Sequence, residues 1–83
     1  KDIPPFVMAA GQPAAPHGLN SEGLKRRGFS RETLAVLKRA YKTLYREGLT
    51  VAEAAVRLEA DRAHPEIAQL IEFLEHSERG IIR

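Results

Sequence analysis

Helix-breaking residues constrain this chain more than any other feature: from Asn20 onward, Gly28, Gly48, Pro65 and Gly80 interrupt every helical run, leaving room only for a series of short helices. Between the breaks, apolar residues recur at helical spacing. Ser30 is placed to cap one helix, with Leu34, Leu37, Tyr41 and Leu44 as its stripe, Ala40 and Tyr45 beside it, and Gly48 as its stop. Thr50 and Glu53 form a capping-box pattern that starts the next helix, which runs through Val51, Ala54, Ala55 and Leu58 to about Asp61. Pro65 suits a first helical position and opens the last helix, with Ile67, Leu70, Ile71 and Leu74 as its stripe, Phe73 alongside and Gly80 as its end. Links of about two to four residues imply antiparallel neighbours, hence a small helical bundle.

A shorter helix precedes these three. Asn20 can cap it, Leu19 and Leu24 can form a hydrophobic staple across the cap, and Gly28 reads as a left-handed stop with Phe29 folding back onto Leu24. The resulting rigid turn fixes Asn20, Glu22, Lys25, Arg26 and Arg27 in relation to one another. It lies in the basic half of the chain: residues 1–49 carry nine Lys/Arg against four Asp/Glu, and residues 50–83 carry four against seven. An anionic partner would sit on that half. Arginine suits phosphate because its planar fork donates two bonds to two oxygens. Charge alone favours a plainer assignment, a solvated face with Glu22 and Arg26 as a surface ion pair worth about 0.3 to 0.5 kcal/mol.

A second basic feature recurs every four residues, at Lys38, Lys42 and Arg46, opposite the apolar stripe and with Arg39 adjacent. It would fit an acidic protein surface or a nucleic acid backbone. Tyr41 and Tyr45 sit with the core stripe, and no helix presents a row of side chains for base edges, so nucleic acid is the weaker assignment. A free-standing basic helical adaptor or nucleic-acid-binding module is the alternative that charge leaves open.

Several classes are unsupported. The chain has no cysteine, and His17, His64 and His76 lie outside metal-motif spacing of one another. His17 falls in the loop before the basic turn, His64 at the start of the last helix and His76 near its end. There is no Gly-rich phosphate loop, nucleophile elbow or paired-carboxylate pattern, so no catalytic residue and no bound cofactor are expected. No apolar run reaches the roughly 20 residues needed to span a bilayer and no leader pattern is present, so a cytoplasmic location is expected. With 83 residues, such a domain buries only about 60 to 65% of its unfolded surface. On its residues alone, the chain reads as a binding module and not as a self-sufficient enzyme.

Residues 1–18 hold every proline except Pro65. Pro4 and Pro5 favour extended geometry, Gly11-Gln12-Pro13 signals a turn, and Phe6 to Ala10 between them reads as one short strand. A single strand leaves its edges unpaired and calls for neighbours. Together with a start at Lys1, this suggests a piece of a longer protein.

The residues Asp2-Ile3-Pro4-Pro5-Phe6-Val7-Met8-Ala9, Gly11-Gln12-Pro13-Ala14, the block from Pro16 to Ser30, and Arg79-Gly80-Ile81-Ile82-Arg83 together resemble the C-terminal part of the acyl-carrier-protein:UDP-N-acetylglucosamine O-acyltransferases, which open lipid A synthesis. The resemblance implies a homotrimeric left-handed parallel β-helix followed by a helical C-terminal domain. Residues 1–15 would be the last strand of that β-helix and its exit, and residues 16–83 the mainly α domain of four helices, the first short. The family moves a 3-hydroxyacyl group from acyl carrier protein to the 3-hydroxyl of UDP-N-acetylglucosamine. Its catalytic base, a histidine of the β-helix, has no counterpart here, so the isolated chain is expected to be inactive. The pattern Asn-x-Glu-x-x-x-Arg-Arg carries over onto this chain. It implies nucleotide-sugar contacts for Asn20 and Glu22, and places Arg26 and Arg27 near the phosphates and the phosphopantetheine arriving on the carrier protein. Lys38, Lys42 and Arg46 are candidates, from charge alone, for meeting that acidic carrier. Acyl chain length is not encoded here, since the resemblance puts the hydrocarbon ruler in the β-helix.

Overall fold

The computed structural model describes residues 1–83 and begins with a hairpin: β1 (Val7–Ala10) and β2 (Ala15–Leu19) pair antiparallel, with Ala10 opposite Ala15 and Val7 opposite Leu19. The first strand therefore has a neighbour within this chain, where the sequence pattern predicts a lone strand followed by a loop. Pro16 and Gly18 hide the second strand, because one lacks an N–H and the other favours left-handed geometry, here at φ 111°. A register shift between Val7 and Ala9 absorbs the irregularity. His17 thus lies on a strand, exposed.

Four helices follow: α1 (Ser21–Arg26), α2 (Arg31–Tyr45), α3 (Val51–Leu58), which continues into a 3-10 turn over Glu59–Asp61, and α4 (Pro65–His76). Their starts follow the local chemistry. Ser30 Oγ accepts from the Thr33 amide at 3.1 Å. Thr50 and Glu53 complete their box with reciprocal bonds of 2.9 and 3.1 Å. His64 occupies the cap position of α4 without a side-chain bond, and Pro65 removes one of the amides that would need it. The last helix stops at His76, short of Gly80, which at φ 78° instead turns the chain back towards its beginning.

That return joins the two ends. Asp2 and Ile81 form a parallel bridge, with the Asp2 amide donating to Gly80 O and the Ile82 amide to Asp2 O, each at 2.9 Å. Asp2 Oδ2 accepts from Ser77 Oγ at 2.9 Å and Oδ1 accepts from Arg79 Nη2 at 2.7 Å. These two bonds, the Ser77 hydroxyl foremost, hold the Asp2 carboxyl below its ordinary range. Arg83 donates to Leu49 O at 3.2 Å, across the link between α2 and α3.

The core is a single cluster in which Leu34, Leu37, Ala40 and Leu44 of α2 meet Ala54 and Leu58 of α3 and Ile67, Leu70, Ile71 and Leu74 of α4. Leu24 and Ile81 close its two ends. A fully buried Leu or Ile is worth about 1.5–3 kcal/mol, so α1 through Leu24 and the C-terminal return through Ile81 and Ile82 each contribute materially. Val36 is also buried, off the expected stripe, and Tyr41 is only half-buried. Tyr45 packs against the core with its hydroxyl enclosed and unpartnered. Burial pushes its pKa up to about 12, with the neighbouring Tyr41 adding and Arg83 opposing. No helix is long and apolar enough to cross a membrane.

Two outcomes are expected. Because the Asp2 pKa is depressed, its contribution is present above the unfolded value of 3.8 and disappears as pH falls through the lower folded value. Asp2→Asn should therefore lower the urea midpoint at pH 7, and the difference from wild type should vanish under strongly acidic conditions; equal midpoints at pH 7 would refute the terminal clasp. Tyr45→Phe removes an enclosed hydroxyl that has no partner and should leave stability unchanged or raise it by about 1 kcal/mol. A loss of that size in denaturant titration would mean that the hydroxyl is bonded after all.

Candidate functional site

A six-residue helix is too short to persist in water by itself, so the order of α1 comes from its two ends and its one buried side chain. At the start, Asn20 is tied three times. Its amide donates to Phe6 O at 3.0 Å, its carbonyl accepts from the Leu24 amide at 3.0 Å, and its Oδ1 accepts from the Gly23 amide at 3.3 Å. At the finish, the Phe29 amide donates to Leu24 O at 3.1 Å and the Gly28 amide to Lys25 O at 3.0 Å, with Gly28 at φ 86°. That pair of bonds is the Schellman ending the sequence predicts. Between the ends, Leu24 is 1% exposed, and Leu19 packs against the same core.

Phe6 supports this turn from below. It sits at φ 70°, a conformation that costs a bulky L-residue of order 1–3 kcal/mol and persists only where the surroundings hold it. Its carbonyl is the acceptor for Asn20, and its ring meets Phe29 edge-on with centroids 6.1 Å apart. The Arg27 guanidinium lies 5.7 Å from the Phe29 ring centre, within cation–π range. Phe6, Phe29 and Arg27 therefore pack in series, ring edge to ring face and ring to guanidinium.

Asn20, Glu22, Lys25, Arg26 and Arg27 are all exposed. The four ion pairs of the chain are elsewhere, joining Arg39 to Asp61, Arg57 to Glu47, Arg62 to Glu59 and Arg79 to Asp2. The Glu22–Arg26 pair expected from their spacing does not form, so both charges are open to a ligand. Ideal helix geometry puts Asn20 and Arg27 within about 20° of each other around the axis and about 10 Å apart along it, with Glu22 about 160° round from Asn20 and Arg26 about 100° from Arg27, so the four do not share one face.

The second basic group borders this turn. Lys38, Lys42 and Arg46 line a cleft of about 240 Å³ together with Gly18, Leu19, Ser21 and Tyr41, so the exposed face of α2 meets the start of α1. Arg46 lies 6.0 Å from the Tyr41 ring centre, whereas Arg39 is drawn away to Asp61 at 3.4 Å. Arg26 and Arg27 do not line this cleft. No group of His, Cys, Asp and Glu side chains is placed to hold a metal ion. His76 Nδ1 lies 2.8 Å from Glu72 O within its own helix.

Sequence reasoning missed two members of this site. The role of Phe6 depends on a positive φ that no side-chain pattern signals. Gly23 did leave a signal, a glycine inside a six-residue helix where a helix former would be ordinary.

Fold and surface define a small helical domain with an unpaired cationic face. Solved UDP-N-acetylglucosamine acyltransferases have the same fold: those of Bacteroides fragilis and Acinetobacter baumannii match the whole chain with TM-scores of 0.93 and 0.94 at 45% and 44% identity, each over 33% of the solved chain. Among curated proteins, the acyl-[acyl-carrier-protein]–UDP-N-acetylglucosamine O-acyltransferase of Thiobacillus denitrificans is 70% identical and that of Tolumonas auensis 56% identical, both across 100% of this chain. The sequence model of UDP-N-acetylglucosamine O-acyltransferase domain 2 matches residues 2–82, and the chain belongs to that family. It spans about a third of the length of these relatives.

Proposed function

We propose that this chain is the substrate-binding C-terminal domain of an enzyme that moves a 3-hydroxyacyl group from acyl carrier protein to the 3-hydroxyl of UDP-N-acetylglucosamine. In that enzyme it follows a left-handed parallel β-helix that forms a homotrimer and supplies the catalytic base. No residue of this chain takes the proton of the attacking hydroxyl.

Asn20 and Glu22 contact the nucleotide sugar, and Arg26 and Arg27 take its diphosphate and the approaching phosphopantetheine arm. One observation carries the assignment: a turn capped at both ends holds two arginines that have no carboxylate partner in the chain. A guanidinium already held in place loses little freedom on meeting a phosphate, and each charge-assisted bond is about twice as strong as a neutral one. The aromatic support under Arg27 adds to this restraint. Lys38, Lys42 and Arg46, bordering the same turn, form the face that meets the acidic carrier protein.

The isolated chain, lacking the base, is expected to show no acyl transfer from 3-hydroxyacyl carrier protein to UDP-N-acetylglucosamine; turnover in a product assay would overturn the division of labour. In the full-length enzyme, Arg27→Ala should cut kcat/KM for the nucleotide sugar roughly tenfold to a hundredfold, the loss of a bond to a charged group. Unchanged kinetics with an intact oligomer would remove the phosphate-binding role.

A further inference from the structure

We propose that Gly23 is a positioning residue for substrate binding: its missing side chain is what allows the Asn20 amide to lie against α1 and present its Nδ2 hydrogens to the ligand. This deepens the nucleotide-sugar reading of α1 and rests on it. A Cβ at position 23 would fall 2.6 Å from Asn20 Nδ2, 2.9 Å from Oδ1 and 3.0 Å from Cγ. Nδ2 and Oδ1 are closer than real Cβ atoms come to any neighbour and Cγ is at the limit, so any other residue forces the Asn20 side chain to move. The other groups of Asn20 are committed, since its amide, carbonyl and Oδ1 are bonded to Phe6, Leu24 and Gly23. Nδ2 is the one donor left over, and Asn20 is exposed. The amide so held is a fixed donor, suited to an oxygen acceptor on the substrate.

Gly23 also lies on the strip of α1 between Asn20 and Arg27, three residues after one and four before the other. With no side chain projecting there, that part of the α1 surface stays uncovered between the two residues. A glycine in a helix is otherwise unfavourable relative to alanine. A glycine with no special role would therefore improve stability on replacement by alanine, and it is the contact with the Asn20 side chain that sets this position apart.

The test is a cycle in the full-length enzyme: Asn20→Ala, Gly23→Ala and the double variant, with KM for UDP-N-acetylglucosamine, kcat and thermal midpoint measured for each. The proposal expects Gly23→Ala to raise KM about tenfold, matching Asn20→Ala and the loss of one hydrogen bond. In the Asn20→Ala background the same change should leave KM where it is and raise the midpoint, because the clash is gone and the helix gains an alanine. If Asn20→Ala raises KM and Gly23→Ala does not, the positioning role is wrong and the substrate reading stands. If Gly23→Ala raises KM equally in both backgrounds, Gly23 acts independently of Asn20 and the proposal fails. If Asn20→Ala leaves KM unchanged, the nucleotide-sugar reading of Asn20 falls and the proposal falls with it.

Discussion

The burial of Leu24 is what the candidate site depends on. It is the single buried residue of α1, and its carbonyl is also the acceptor that closes the Schellman ending through the Phe29 amide. A helix of under two turns has too few internal bonds to outweigh the entropy of ordering it. One fully buried leucine, with the caps on either side, changes that balance. With Leu24 fixed on the inner face, Glu22 and Arg26, each about 160° from it around the axis, are presented outwards, while Asn20 and Arg27 hold the two ends of the turn.

Around this pin the molecule separates rigid support from accessible charge. The turn before β1 supplies Phe6, whose carbonyl accepts from the Asn20 amide, the loop after α1 supplies Phe29 against Arg27, and the two rings meet edge-on. The α2 helix contributes Leu34, Leu37, Ala40 and Leu44 to the core and turns Lys38, Lys42 and Arg46 outwards beside the same turn. Arg39, next in sequence to Lys38, is held instead by Asp61. Neighbouring cations on one helix thus have different fates, decided by whether an acidic partner is within reach.

Much of the fold was legible because helix ends are local events. Asn20, Ser30, Thr50 with Glu53, Pro65, Gly28 and Gly48 each act through backbone groups within a few positions, and each lies at or just beyond the helix end it marks. The missed features are non-local. The second strand depends on pairing with β1 despite Pro16 and Gly18, and the clasp at Asp2 depends on residues at the far end of the chain, whereas Val36, one turn before Ala40, sits at the edge of the helical stripe itself. At the candidate site, charge pattern alone pointed to a solvated face, and the family pattern was needed to single out four residues. Gly23 escaped because its contribution is an absence of atoms, visible only once the Asn20 amide is seen lying where a Cβ would be.

The bridge between Asp2 and Ile81 also bears on the order in which the molecule assembles. Contacts between α2 and α3 and between α3 and α4 join segments separated by short links, whereas this bridge closes a loop of nearly the whole chain. Closing a loop costs more entropy the longer it is, so helix pairing is favoured early and the joining of the ends late. By the same reasoning the joint is the place from which the native state frays. The hairpin that carries Phe6 is anchored there at one side and by Asn20 at the other, so slow amide exchange at Asp2 and Ile82 would report on the integrity of the surface above Phe6, although neither residue belongs to it.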